Sequence, residues 1–289
     1  MSRPSSITLR AFPPEQPLDR CLRVARKAGF DAVEVNLEPG LPYELDSPDA
    51  AIAELGSLIR AHGLAISSLH SREQWRFPIT SSRPAVAAEG KRVVRRLAEC
   101  AKLLDVDAIL VVAGGVDMSL LGPDDEVVPY DAAYERAQEA LAELAREVDV
   151  LLCIENVWTK FLLSPLEFRR FVDELDHPLV GVYFDVGNVL AHGYPEQWIR
   201  ILGSRIKRVH IKDYKRAVGT EHGFTGLLQG DVDWPEVMAA LREIGYDSYL
   251  TAEVLPPYPH DPFQLVYDCA TALRKLEALD AAPVPGAAA

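Results

Sequence analysis

The chain has 289 residues, 48% of them apolar, and 30 basic against 43 acidic side chains leave a formal charge of −13. That length suits one large α/β domain or two small ones, with enough apolar material for a sizeable core. The acidic balance speaks against nucleic acid as a partner, because phosphate binding needs a basic footprint, and no apolar run approaches the roughly 20 residues that span a bilayer.

In chain order, Ser6 to Ala11 reads as a first short strand closed by Pro13-Pro14, and Pro17 opens a helix that ends at Gly29. Asp31 to Asn36 is a second strand. Ser47-Pro48-Asp49 reads as a cap opening a helix to His62-Gly63. Leu64 to Leu69 is a third strand ending at His70, and a loop through Trp75 and Pro78 leads to a helix from Pro84 to Leu104. Asp107 to Val112 forms a fourth strand, followed by a loop and a helix from Tyr130 to Glu147. The fifth strand, Val150 to Ile154, ends at Glu155, and Ser164-Pro165-Leu166-Glu167 is a capping box for a helix to Leu175. The sixth ends at Asp185 before a short helix around Gln197 to Leu202, and the seventh ends at His210. A glycine-rich loop from Gly219 to Gly230 runs to Asp233-Trp234-Pro235 and a helix to Ile244. The eighth strand, Ser248 to Ala252, ends at Glu253, and a last helix covers about Pro262 to Leu279. Eight strands alternating with eight helices, near the typical length of ~250 residues, predict a single-domain (β/α)8 TIM barrel over residues 1–280. The Ala/Pro-rich tail 281–289 is expected to be disordered. Met1 to Arg10 lacks the build of a signal peptide, and the four cysteines are far apart and read as reduced, so a soluble cytoplasmic protein is expected.

Four consecutive strands thus end on Glu155, Asp185, His210 and Glu253, each after a brief apolar run. In a barrel, strand C-termini face one mouth. Three carboxylates and an imidazole gathered there suit one hard to borderline divalent cation. Two of the carboxylates, Glu155 and Glu253, also offer an acid/base pair. If they meet a substrate from opposite sides, one removes a proton from carbon and the other returns one. A metal on a ketose carbonyl and its neighbouring hydroxyl would stabilise the enediolate between these steps.

Ile154-Glu155-Asn156, Gly181 to Asn188, Val209-His210-Ile211-Lys212-Asp213, Leu250 to Glu253 and Gly230 to Pro235 together resemble the xylose-isomerase-like barrel superfamily. Within it they are similar to the sugar-phosphate isomerase/epimerase group that contains L-xylulose-5-phosphate and D-tagatose 3-epimerases. The resemblance implies that Glu155, Asp185, His210 and Glu253 hold one divalent metal, commonly Mn²⁺, with Mg²⁺, Co²⁺ and Zn²⁺ as alternatives. It also implies that Glu155 and Glu253 are the acid/base pair acting on a small sugar or sugar phosphate. Homo-oligomers occur in that family, and no interface is legible in this chain. The superfamily also holds endonuclease IV, a three-metal DNA-repair enzyme. Here the fourth strand ends in Ala113-Gly114-Gly115 without a histidine, and Asp185 is followed by Gly187-Asn188 where that enzyme has a histidine.

Around the metal, His70, Asn188, Glu34, Trp158 and His222 are the substrate-binding candidates. His70 has a packing alternative, Asn156 and Asn188 a turn role, Glu34 a pairing with a neighbouring cation, and His192 and His222 a surface role. Lys212 and Asp213 are expected to fix a loop. Trp75, Phe77, Trp158 and Phe161 follow the third and fifth strands and can wall a sugar. The glycine loop, with Thr225, Lys215 and Arg216, reads either as a phosphate cradle or as a lid. C3 epimerisation of a ketose is the expected reaction. A lyase or dehydratase of the inosose dehydratase kind on the same metal is the first rival. A non-catalytic sugar-binding subunit is another, which the four filled ligand positions oppose.

Overall fold

The computed structural model describes residues 3–122 and 126–281. Its strands are β1 (Ser5–Thr8), β2 (Ala32–Asn36), β3 (Ala65–His70), β4 (Ala108–Val111), β5 (Leu151–Glu155), β6 (Val180–Asp185), β7 (Ile206–Ile211), β8 (Asp213–Tyr214), β9 (Phe224–Thr225) and β10 (Leu250–Ala252). All but β8 and β9 pair in parallel, each with its neighbour in sequence, and β10 closes the ring on β1. β8 and β9 form a separate antiparallel pair in the connection after β7. The helices are α1 (Leu18–Ala28), α2 (Asp49–Ala61), α3 (Glu73–Arg76), α4 (Pro84–Leu103), α5 (Tyr130–Glu147), α6 (Pro165–Leu175), α7 (Val186–Val189), α8 (Pro195–Leu202), α9 (Trp234–Glu243) and α10 (Gln264–Ala281). This is the single-domain TIM barrel that the alternation of elements predicts. No helix among the described residues is long and apolar enough to cross a membrane.

Several boundaries differ from expectation. β1 stops at Thr8, where its pairing with β2 ends, and Leu9–Ala11 turns into a 3-10 helix. β7 runs one residue past His210. Ser47 does not cap α2; its hydroxyl accepts the Glu44 N–H at 2.9 Å instead. Ser164 caps α6 by accepting the Glu167 N–H at 3.2 Å, but the Glu167 carboxylate reaches back to Leu163 rather than to Ser164. The single turns α3 and α7 lie where only loops were expected. The last helix reaches Ala281, and the rest of the expected tail lies outside the described residues.

Alternation along each strand sorts side chains between two layers. One parity (Ile7, Val33, Leu69, Ile109, Leu152, Val182, Val209) joins the helices in a large apolar core. The other parity faces the barrel interior. There Ala108, Leu110, Cys153 and Tyr183 make a small apolar cluster with Val112, Trp75 and Met118. The rest of the interior is polar, with Ser6, Thr8, Glu34, Ser68, His210 and Thr251 fully or almost fully buried. At the N-terminal floor Arg208 donates to the Ser67 carbonyl at 2.9 Å and to the Ser248 hydroxyl at 3.1 Å, and pairs with Asp107. The opposite, C-terminal mouth holds the candidate site.

Candidate metal centre and active-site cavity

Glu155, Asp185, His210 and Glu253 meet at the mouth, where one donor atom from each lies within 4.8 Å of all the others. His210 Nδ1 is the hub. It lies 3.2 Å from Glu155 Oε1, 3.6 Å from Glu253 Oε2 and 3.8 Å from Asp185 Oδ2. Its Nε2 turns inward to Glu34, 3.0 and 3.2 Å from the two carboxylate oxygens.

Local sequence fixes these positions. Asp185 caps α7, its Oδ1 accepting the Asn188 N–H at 2.8 Å. Asn156 brackets the Asp185 backbone, accepting its N–H and donating to its carbonyl, both at 2.8 Å. The Asn188 side chain donates to the Asn156 carbonyl at 3.0 Å, which ties the ends of β5 and β6 together. Gly187 is required by close approach: a Cβ there would meet Lys212 Cγ at 2.8 Å. Through that gap Lys212 reaches Glu253 Oε2 at 2.5 Å and Asp185 Oδ2 at 3.1 Å.

Burial and the neighbouring charges divide the acids. Burial raises the Glu155 carboxyl to about 7, against the hydrogen bond and charge of His210, and the charges of Glu253 and Asp185 push the same way. Burial likewise raises Asp185, while Lys212 opposes it. Burial would also raise Glu253, but the Lys212 and His210 charges outweigh it and hold Glu253 well below the usual carboxylate range. For Glu34 burial is again outweighed by His210, leaving it at about 2. Burial holds the His70 imidazole below its usual value, which favours its neutral form.

The cluster fits a divalent cation. Asp185 Oδ2 is buried and accepts no hydrogen bond, although Lys212 Nζ is near it. Lys212 is shared with Glu253, so one ammonium serves two buried carboxylates, and a divalent cation would satisfy the oxygen that no hydrogen bond reaches. Oxygen donors with one imidazole nitrogen are the ligand chemistry such ions take.

Above the cluster opens a cavity of about 420 Å³. Glu155 and Glu253 line it; Asp185 and His210 lie beneath. Of the other expected residues, His70, Asn188, Trp158 and His222 also line it, with His222 exposed at the rim. Glu34 does not: it has no exposed surface and is held by His210, Tyr183 and Ser68, so pairing with a neighbouring cation is the role its position supports. His192 packs against Trp198, ring centroids 5.9 Å apart, outside this cavity. Trp75 and Trp158 wall the space, whereas Phe161 packs against Tyr130, Tyr134 and Phe171, and Phe77 against the outer core.

Asp213 does fix the loop after β7. Its carboxylate accepts from the Gly230 amide at 3.0 Å and the Trp234 indole at 3.2 Å. A Cβ at Gly230 would meet Asp213 Oδ1 at 2.1 Å. The protein's own carboxylate therefore fills that glycine turn, which disfavours the phosphate-cradle reading there. Instead Phe224, on β9, lies over the mouth against Trp158, ring centroids 5.1 Å apart, and over Lys212, with Nζ 4.7 Å from the ring centroid. Lys212, expected to steady a loop, is thus a site residue. Arg10, Arg72 and Leu255-Pro256 also line the cavity and had no forecast role.

The family model for the xylose isomerase-like TIM barrel matches residues 22–275, and the chain belongs to that family. It is an enzyme. It is 26% identical over 254 residues to the L-ribulose-5-phosphate 3-epimerase UlaE of Salmonella paratyphi C, covering 84% of each chain. Among solved structures, an L-ribulose 3-epimerase superposes with a TM-score of 0.74 at 22% identity, covering 99% of this chain and 100% of that one. The D-psicose 3-epimerase of Clostridium cellulolyticum H10 gives a TM-score of 0.74 at 18% identity, covering 97% of this chain and 99% of that one.

Proposed function

We propose that the chain is a divalent-metal-dependent ketose 3-epimerase that holds its cation, Mn²⁺ in the first instance, through Glu155, Asp185, His210 and Glu253. The observation that carries the reading is which of the four face the cavity. Glu155 and Glu253 do, coming from strands separated by β6 and β7 in the ring, and the other two do not. A substrate in that cavity meets a carboxylate on either side. One takes the proton from C3 and the other delivers a proton to the opposite face, which inverts that carbon. A bound divalent cation would supply Lewis-acid stabilisation of the negative charge that develops on the substrate oxygens. The Lys212 ammonium lies beside Glu253 and adds positive charge at the same place. Trp75 and Trp158 exclude water from the sugar, and His70 and Asn188 offer hydrogen bonds to its hydroxyls.

For the finer substrate class, a phosphorylated ketose is favoured by Arg72. This exposed arginine lines the cavity and, among the described residues, forms no ion pair with a carboxylate. The name of the Salmonella relative points the same way. A panel of ketoses and ketose phosphates in deuterated water tests both levels. The reading requires solvent deuterium at C3 of one ketose and its epimer, with no loss of water from the sugar. Product formed by elimination of water would replace it with the lyase reading. Arg72→Ala should raise KM on the order of tenfold for the phosphate ester, the scale of a charge-assisted hydrogen bond, and leave the free ketose unchanged.

A further inference from the structure

Glu34 is fully buried on β2, inside the barrel and beneath His210. Its Oε2 accepts the Tyr183 hydroxyl at 2.7 Å and the Ser68 hydroxyl at 2.8 Å, and both of its oxygens face His210 Nε2. Two irregularities in strand register, at Val33/Glu34 between β2 and β3 and at Val182/Tyr183 between β6 and β7, fall where these partners project. Register shifts of that kind re-aim side chains. An ionised carboxylate can only accept hydrogen bonds, so the nitrogen facing it must carry the proton. The ring's other nitrogen also faces carboxylates, so both nitrogens can carry protons until a cation is held there. The imidazole is then neutral, its one N–H stays towards Glu34 and the other nitrogen presents a lone pair. That other nitrogen is Nδ1, the atom facing Glu155, Asp185 and Glu253.

We propose that Glu34 is a positioning residue: by accepting the His210 Nε2–H it fixes one tautomer and presents Nδ1 as a ligand to the cation held with Glu155, Asp185 and Glu253. This rests on the metal reading above. Tyr183 and Ser68 in turn hold Glu34 in place, so the network reaches from the strand interior to the metal without touching substrate.

The test is Mn²⁺ affinity, measured by competition with a chromophoric chelator, for wild type, Glu34→Gln, His210→Ala and the double variant. Glutamine keeps the shape but can turn an N–H towards Nε2, which favours the wrong tautomer. Glu34→Gln should bind Mn²⁺ roughly 10- to 100-fold more weakly. It should cost nothing further in the His210→Ala background, because Glu34 acts through that ring. A loss that simply adds to that of His210→Ala would mark a general structural role and overturn the proposal. So would an unchanged affinity in Glu34→Gln while wild type binds one ion, and that result would leave the metal reading standing. Should the variants not fold, ¹⁵N NMR of Zn²⁺-loaded wild type decides: His210 protonated at Nε2 supports the proposal, and protonation at Nδ1 overturns it. Wild type that binds no divalent ion would defeat the metal reading itself, and this one with it.

Discussion

The two faces of the barrel strands are built on opposite chemistry. Outward, Ile7, Val33, Ile109, Val182 and Val209 are fully buried against the helices in an apolar layer that needs no specific partners. Inward, Glu34, Asp185 and His210 are as deeply buried but are ionisable, and each depends on named neighbours. Burial of the first kind stabilises by about 25 cal/mol per Å² of apolar surface. Burial of the second kind stabilises little and is costly to break on one side. The fold therefore draws its stability from the outer layer and its chemistry from the inner one, and the two should respond separately to substitution.

The sharpest way to break that separation is at the proposed acid/base pair. Glu155→Gln or Glu253→Gln should lower proton exchange on the order of 10²- to 10⁴-fold while the protein stays folded, with Glu253→Gln the less stable because it breaks the buried pair with Lys212. Exchange is read by NMR in deuterated water and folding by calorimetry. A variant that unfolds would make the inner layer structural as well. The outer layer is tested by Phe168→Ala. Phe168 is fully buried with its ring centroid 6.5 Å from that of Trp198, and its loss should cost about 3–5 kcal/mol in denaturant unfolding. Metal affinity of the folded protein should not change.

A smaller effect concerns acid. The folded Glu34 carboxyl lies at about 2 against an ordinary 4.5. The folded state thus binds this proton less readily than the unfolded one. Its contribution to stability is present above pH ~4.5 and is lost as pH falls towards ~2. Glu34→Gln should flatten that part of the stability–pH curve, and an unchanged acid limb would contradict the pairing with His210. The mildest expectation concerns the thiols. Burial pushes Cys21 and Cys100 up to about 11 and Cys153 and Cys269 up to about 12. All four should resist a thiol reagent at pH 8 in the native protein and react on unfolding.

Much of this was legible in the chain. Each β/α unit has an apolar run bounded by a cap, a proline or a glycine, and the four clustered donors were visible because each closes such a run. What escaped was alternation across the strand ends. Arg208, His210 and Lys212 share one parity, as do Tyr183 with Asp185 and Glu34 with Asn36. Lys212 therefore faces the site while Asp213, one step on, faces the loop, since a single residue swaps the face of a strand. Phe161 and Phe77 lie behind the cavity wall for a related reason. Composition places aromatics near a mouth, but only the path of the loop decides whether they wall the cavity or pack behind it.

The proposed chemistry turns on Glu155, Asp185, His210 and Glu253 forming one cation site. Native mass spectrometry of protein equilibrated with Mn²⁺, paired with Asp185→Ala, tests it most directly. One ion per wild-type chain, lost in Asp185→Ala while the variant stays folded, is the result predicted. No bound ion in wild type, or the same stoichiometry in the variant, would contradict it.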